Sequence, residues 1–139
     1  MGAWSSRFAI DLEQEFGHAD ITSEVSRAVA DSGITNGMVT VALVGSTGAI
    51  TTIEYESGAL KDLREALDRL APIGPEYHHD SRWGDGNGFS HLRSALVKTS
   101  IAVPVADGEL ALGTWQQVIV LNLDNRRRKR EVVVSVVGE

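Results

Sequence analysis

Three stretches decide the fold class: Ser100-Ile101-Ala102-Val103-Pro104-Val105, Gln117-Val118-Ile119-Val120-Leu121-Asn122-Leu123 and Glu131-Val132-Val133-Val134-Ser135-Val136-Val137. Each is short and rich in β-branched residues, the composition that fits a pleated, half-buried surface. Leu110 to Leu112 adds a fourth, shorter strand. Asp107-Gly108, Gly113-Thr114 and the Asn125 region supply the turns, so the C-terminal half is predicted to be a β-meander. Working back from there, Leu60, Leu63, Leu67 and Leu70 recur at helical spacing and stop before Pro72. Val25, Ala28 and Val29 mark a helix from Thr22 to Asp31, with Thr22 or Asp20 to cap it and Gly33 to end it. Phe8, Ile10 and Leu12 alternate with polar or small residues and predict an early strand followed by a turn at Gly17. Met38 to Val44 and Ile50 to Ile53 predict two more strands, the first an inner one. Ser90 can open a short helix through Leu92, Ala95 and Leu96. Helices gathered early and strands late, without βαβ alternation, predict an α+β fold with mainly antiparallel, sandwich-like sheets and two to three helices.

The 139 residues carry 13 Lys and Arg against 19 Asp and Glu, a net charge of −6, and no cysteine. The length suits one domain, 1–139, and no repeat or linker divides it. The acidic balance argues against nucleic acid as a partner, since that affinity comes from neutralising phosphate. Nothing approaches the ~20 apolar residues of a membrane span, and no signal peptide is evident, so a cytoplasmic protein is expected. Without thiolates, any metal must rest on His, Asp, Glu or carbonyl oxygen. Gly84, Gly86 and Gly88 do not follow the dinucleotide fingerprint, and no Walker lysine follows Gly45 or Gly48.

The stretch from Gly74 to Ser90 has no periodicity and reads as a long loop, which in a compact domain is where function concentrates. It holds His78, His79 and Asp80, then Asp85, Gly86 and Asn87, with Ser90 and His91 next to it. Imidazoles and carboxylates on a glycine-rich loop suit a divalent metal; they equally suit a polar loop whose histidines bond to backbone or to Asp80. Glu54 ends the Thr51 to Ile53 strand and Glu56 follows on the same face. A carboxylate there can ligate a metal, act as general base, or stand in solvent. Ser46 and Thr47, in Gly45-Ser46-Thr47-Gly48, offer hydroxyls and amides for an anion, or form a plain hairpin turn. The basic run Arg126 to Arg130 reads as a solvated hairpin loop, or as one arginine folded back onto a substrate phosphate. Trp115 reads first as core, and Trp115-Gln116 alternatively as a pocket floor.

Gly45-Ser46-Thr47-Gly48-Ala49-Ile50-Thr51-Thr52-Ile53-Glu54, Tyr77-x-His79-Asp80, Gly84-Asp85, Ser90-His91, Val103-Pro104-Val105 and Leu112-Gly113-Thr114-Trp115-Gln116 together resemble the YjbQ family, whose members are described as secondary thiamine-phosphate-synthase-like proteins. The likeness spans nearly the whole chain. It implies a compact α+β fold that assembles as a homotrimer, with a divalent metal, zinc or magnesium, on His79 and His91. Glu54, Asp80 and Asp85 are then the acidic catalytic candidates, and Ser46, Thr47, Asn87, Trp115 and Gln116 the substrate-binding ones. Many bacterial members have a histidine where this chain has Gly45, so it resembles the Gly-Ser-Thr branch, with one imidazole fewer. The implied reaction joins a hydroxymethylpyrimidine diphosphate to a thiazole phosphate and releases pyrophosphate. Two other functions fit the residues: a metal-dependent hydrolase of a small substrate with Glu54 as base, and a non-catalytic trimeric ligand-binding protein.

Overall fold

The computed structural model describes residues 1–74 and 76–139. In chain order it runs β1 (Gly2–Leu12), β2 (Gly17–Asp20), α1 (Thr22–Ser32), β3 (Gly37–Leu43), β4 (Gly48–Ile53), α2 (Ser57–Leu70), α3 (His78–Trp83), α4 (Gly88–Val97), β5 (Ser100–Ala106), β6 (Glu109–Leu110), β7 (Gln117–Asn122) and β8 (Arg128–Gly138). The strands form two antiparallel sheets, one of five in the order β1-β8-β3-β5-β6 and one of three in the order β2-β7-β4. The α+β class with antiparallel sheets is as the sequence predicts.

Register follows from alternation. On the inner face of the larger sheet, Trp4, Val136, Val39 and Val103 align across four strands, and Phe8, Val132 and Leu43 align across three. This face packs on Val25, Ala28 and Val29 of α1 and on Ile50, Val118 and Val120 of the smaller sheet. The opposite face of the smaller sheet, Ala49, Ile119 and Leu121, packs on Leu60 and Leu67 of α2. The smaller sheet is therefore a middle layer covered on both sides. Helix α1 starts where Asp20 accepts the Thr22 N–H at 3.0 Å and ends at Gly33; α2 starts on Glu56, whose carboxylate accepts the N–H groups of Gly58 and Ala59. Those two amides hold the Glu56 carboxyl below its ordinary pKa, so Glu56 is a helix cap.

Several expectations need correction. The C-terminal strands do not form a meander: β7 leaves for the smaller sheet and β8 inserts between β1 and β3. The reason lies in their patterns. Val118 to Leu121 are apolar on both sides and need two covered faces, whereas β8 alternates and needs one. Residues 74–90 are not one long loop. Tyr77 O accepts from Asp80 and Ser81 to start α3, a helix too short to carry an apolar period, and α4 already begins at Gly88. The described residues thus hold four helices, not two to three. Gly17 opens β2 instead of making only a turn, and β1 reaches back to Gly2 because β8 offers eleven partners. Arg128, Lys129 and Arg130 belong to β8, not to a hairpin loop, and Trp115 is 72% exposed instead of core. No helix among the described residues is long and apolar enough to cross a membrane.

Candidate metal centre and adjoining cleft

Helix α3 delivers His79 and Asp80 to the start of α4, where Gly88 donates its N–H to Asp80 Oδ1 at 2.9 Å. This approach requires glycine: a Cβ at position 88 would lie 2.4 Å from Tyr77 Cβ. The loop between the helices returns Asp85 to the same point, held by Asn125 Nδ2 donating to its carbonyl at 3.0 Å. His79 Nδ1 is 3.4 Å from Asp80 Oδ1 and 3.5 Å from Asp85 Oδ1, and one donor atom from each of the three residues falls within 4.8 Å of the others. His91 of α4 lies beside them, its ring centroid 4.3 Å from that of His79.

Beneath this group is a buried polar network whose centre, Asp124, the sequence did not single out. Asp124, which follows β7 after Leu123, is fully buried and accepts from Asn87 Nδ2 (3.2 Å), Thr47 Oγ1 (3.1 Å), Arg128 Nε (2.8 Å) and its neighbour's N–H (2.8 Å). Burial pushes its carboxyl up, but the bonds from Asn87, Arg128, Asn125 and Thr47 outweigh burial and leave it below its ordinary value. Arg130 Nη2 donates to Thr47 O (2.8 Å), Thr47 Oγ1 (2.7 Å) and Asn122 Oδ1 (2.7 Å). Burial lowers the Arg130 pKa, the charge of Asp124 opposes this, and Arg128 adds to it. Parity was the available signal for Arg130, because it shares its face of β8 with Val132, Val134 and Val136. For Asp124 no local pattern suffices, since beside the nearby Asn125 and Arg128 two of its partners, Thr47 and Asn87, come from distant segments.

Between the Gly45–Ser46 turn and α4 lies a cleft of about 390 Å³, lined also by His91, Ser94, Ala95, Lys98 and Thr99. The lining helical residues recur on one face, and Ser94 Oγ fastens that face to β4 by donating to the Gly48 carbonyl at 2.5 Å. His91 therefore borders both the His79–Asp80–Asp85 group and the cleft.

Of the residues singled out from sequence, His79, Asp80, Asp85 and His91 come together. Ser46 lines the cleft, Thr47 is buried behind it, and Asn87 immediately precedes α4 with its amide on Asp124. Glu54, Trp115 and Gln116 lie elsewhere. Gln116 Nε2 donates to Thr52 Oγ1 at 3.1 Å, which puts it at the far end of β4. Five strand steps separate Gly48 from Ile53, about 17 Å at ordinary strand rise, so Glu54 stands at the opposite end of β4 from the Gly48 turn, and it is not among the donor atoms that gather at His79.

The comparisons agree with this architecture. The family model described as UPF0047 protein YjbQ-like matches residues 6–139. A UPF0047 protein of Archaeoglobus fulgidus is 40% identical over 117 residues, 84% of this chain and 89% of that one. One from Methanothermobacter thermautotrophicus is 42% identical over 120 residues, covering 86% and 82%. Among solved structures, a YbjQ-like protein of unknown function from Sulfolobus solfataricus superposes with a TM-score of 0.93 at 28% identity, over 99% of each chain. An uncharacterized YjbQ/UPF0047 protein from Clostridium acetobutylicum gives 0.86 at 28% identity, over 95% and 99%. With the family match running from β1 to the last residue and the fold shared throughout, this chain belongs to the YjbQ-like UPF0047 family.

Proposed function

We propose that this chain is a cytoplasmic, divalent-metal-dependent enzyme acting on a small phosphorylated substrate, with His79, Asp80 and Asp85 as metal donors and His91 as the donor nearest the cleft. The observation that carries this reading is the pair of separations at His79 Nδ1, 3.4 and 3.5 Å. Donors bound at about 2.1 Å in tetrahedral geometry stand about 3.4 Å apart, so His79 Nδ1 is spaced from each carboxylate oxygen like a ligand sharing one ion, and the two carboxylates lie within 4.8 Å of each other. Imidazole favours zinc, and the two carboxylates also admit magnesium. The Gly88 amide fixes Asp80, a supporting contact of the kind that orients metal ligands.

A bound divalent ion would neutralise charge on a phosphoryl leaving group. Thiamine-phosphate synthesis, the transfer implied by the family resemblance, is the specific form of this reading and suits a cleft open beside His91. A hydrolase with Glu54 as base is disfavoured within one chain by the length of β4. The outer face of the larger sheet, with Ala3, Val137, Met38 and Pro104 aligned in one apolar row at its end, supports assembly into the proposed homotrimer, in which a neighbouring copy can contribute Glu54.

Elemental analysis of purified protein should give close to one zinc or magnesium per chain, with His79→Ala and His91→Ala each losing it. Unchanged metal content in both variants overturns the metal site. The specific reaction is tested by incubating metal-loaded protein with the two phosphorylated precursors; thiamine phosphate no higher than in an enzyme-free control removes it. Mass in solution tests the trimer.

A further inference from the structure

Two cationic side chains among the described residues are more than nine-tenths buried, and they differ in one respect. Arg93 is paired with a carboxylate, Asp68 Oδ1 at 3.0 Å. Arg130 is not: its direct acceptors are Thr47 O, Thr47 Oγ1 and Asn122 Oδ1, all neutral, and Asp124 makes no direct contact with it, linked instead through Thr47 and Asn122 and acting on it by charge from behind them. Burying a cation without an anion in contact is costly, so such a group is a place where an anion binds with gain.

Arg130 does not itself line the cleft; its free edge lies behind the cleft wall, against Gly45, which does line it. Nη1 makes no hydrogen bond to any described residue, and it is not among the side-chain atoms sealed without a partner, which are Asn87 Oδ1 and Ser90 Oγ. A Cβ built on Gly45 would lie 3.1 Å from Nη1, and one on Gly48 3.3 Å from Cζ. Arg130 thus sits directly under two glycines, one of which lines the cleft, and any side chain at position 45 would cover Nη1. In the same turn the N–H groups of Gly45, Ser46 and Thr47 meet no acceptor among the described residues. Three successive unpaired amides are available as donors to an anion. Lys98, the residue that follows α4, lines the cleft together with Ala95.

We propose that this cleft is an oxyanion subsite that holds the phosphoryl group of the substrate, with Arg130 as its buried cation, the Gly45–Thr47 amides as its donors and Lys98 as its exposed cation. The inference deepens the metal-dependent reading and rests on it for the substrate's reacting end, but anion binding itself needs no metal. A planar guanidinium and backbone amides match the several oxygens of a phosphate better than a single-oxygen ligand.

The test is calorimetric titration of inorganic phosphate and of pyrophosphate into metal-free and zinc-loaded protein. The wild type should bind both anions in either form. Lys98→Gln, on the surface, should weaken binding about tenfold, the effect of losing one charge-assisted contact. Gly45→Ala, which covers Nη1, should weaken it at least as much while leaving metal content unchanged. Absence of binding to wild type at about 10 mM anion, well above any useful affinity, overturns the subsite, as does wild-type affinity in both variants. His79→Ala separates this inference from the metal reading: phosphate binding that survives the loss of metal upholds the subsite alone, and binding seen only with metal places the anion on the ion and overturns it.

Discussion

The two ends of β4 make an instructive pair. At the Gly48 end, Thr47, Asn122, Asp124 and Arg130 are all buried, and each has at least two hydrogen bonds to another segment. At the Ile53 end, Glu54, Trp115 and Gln116 are exposed, and the ties are few: Gln116 to Thr52, and Gln117 to the Tyr55 N–H. Both ends carry residues of catalytic type. What separates them is preorganisation: at one end burial and bonding fix the groups before any ligand arrives, and at the other the same chemical types stand in water.

The contrast breaks if the buried end proves indifferent to mutation. Asp124→Ala leaves Arg128 without its carboxylate and removes acceptors from Asn87 and Thr47, so urea unfolding should show a loss of about 3 to 5 kcal/mol, as for breaking a buried pair. A loss no larger than that of an exposed substitution would refute the claim that this network holds the site. The same carboxyl predicts an acid dependence. Its folded pKa lies below its ordinary value of 3.8, so its contribution is complete above that value and disappears as pH falls through the folded pKa. Wild type should therefore lose more stability than Asp124→Asn between neutral and strongly acidic pH, which parallel denaturation curves will show.

Gly88→Ala probes the junction of α3 and α4. Its Cβ would collide with Tyr77, an overpacking cost of about 1 to 3 kcal/mol, and the displaced Asp80 should release metal. Retention of full metal content together with wild-type stability would show that this close approach is dispensable. The smallest effects belong to the open end: Glu54→Gln and Trp115→Ala should each change stability of the isolated chain by less than about 0.5 kcal/mol, the usual range for surface sites. A larger shift that grows with protein concentration would sharpen the comparison, by showing that a second copy covers this end.

Much of this was open to reading from sequence, and the failures have physical causes. Strand β7 was legible because four consecutive apolar residues leave no other stable arrangement, yet its sheet was not, since neighbours are chosen by which faces need cover. Helix α3 escaped because six residues with no buried side chain leave no period. The metal-ligand candidates were legible as a cluster of types in a short segment. Asp124 was not, because its meaning resides in Thr47, Asn87 and Arg128, residues brought together only by the finished fold. Arg130 was half legible: the basic run hid it, although alternate residues of β8 mark it as inward.

The placement of β8 also bears on how the molecule is made. It is the last strand in chain order, yet it occupies the middle of the pathway of pairing, with β1 on one side and β3 on the other over the Gly2↔Gly138 and Gly37↔Gly138 registers. Until it leaves the ribosome, both partners present long unpaired edges, and the charged Arg130 has no turn to dock against. Such dominance of distant pairings slows folding and prolongs exposure of aggregation-prone edges. The anion cleft and the larger sheet are thus completed by one late event, so a nascent chain acquires its binding surface only when it acquires its core.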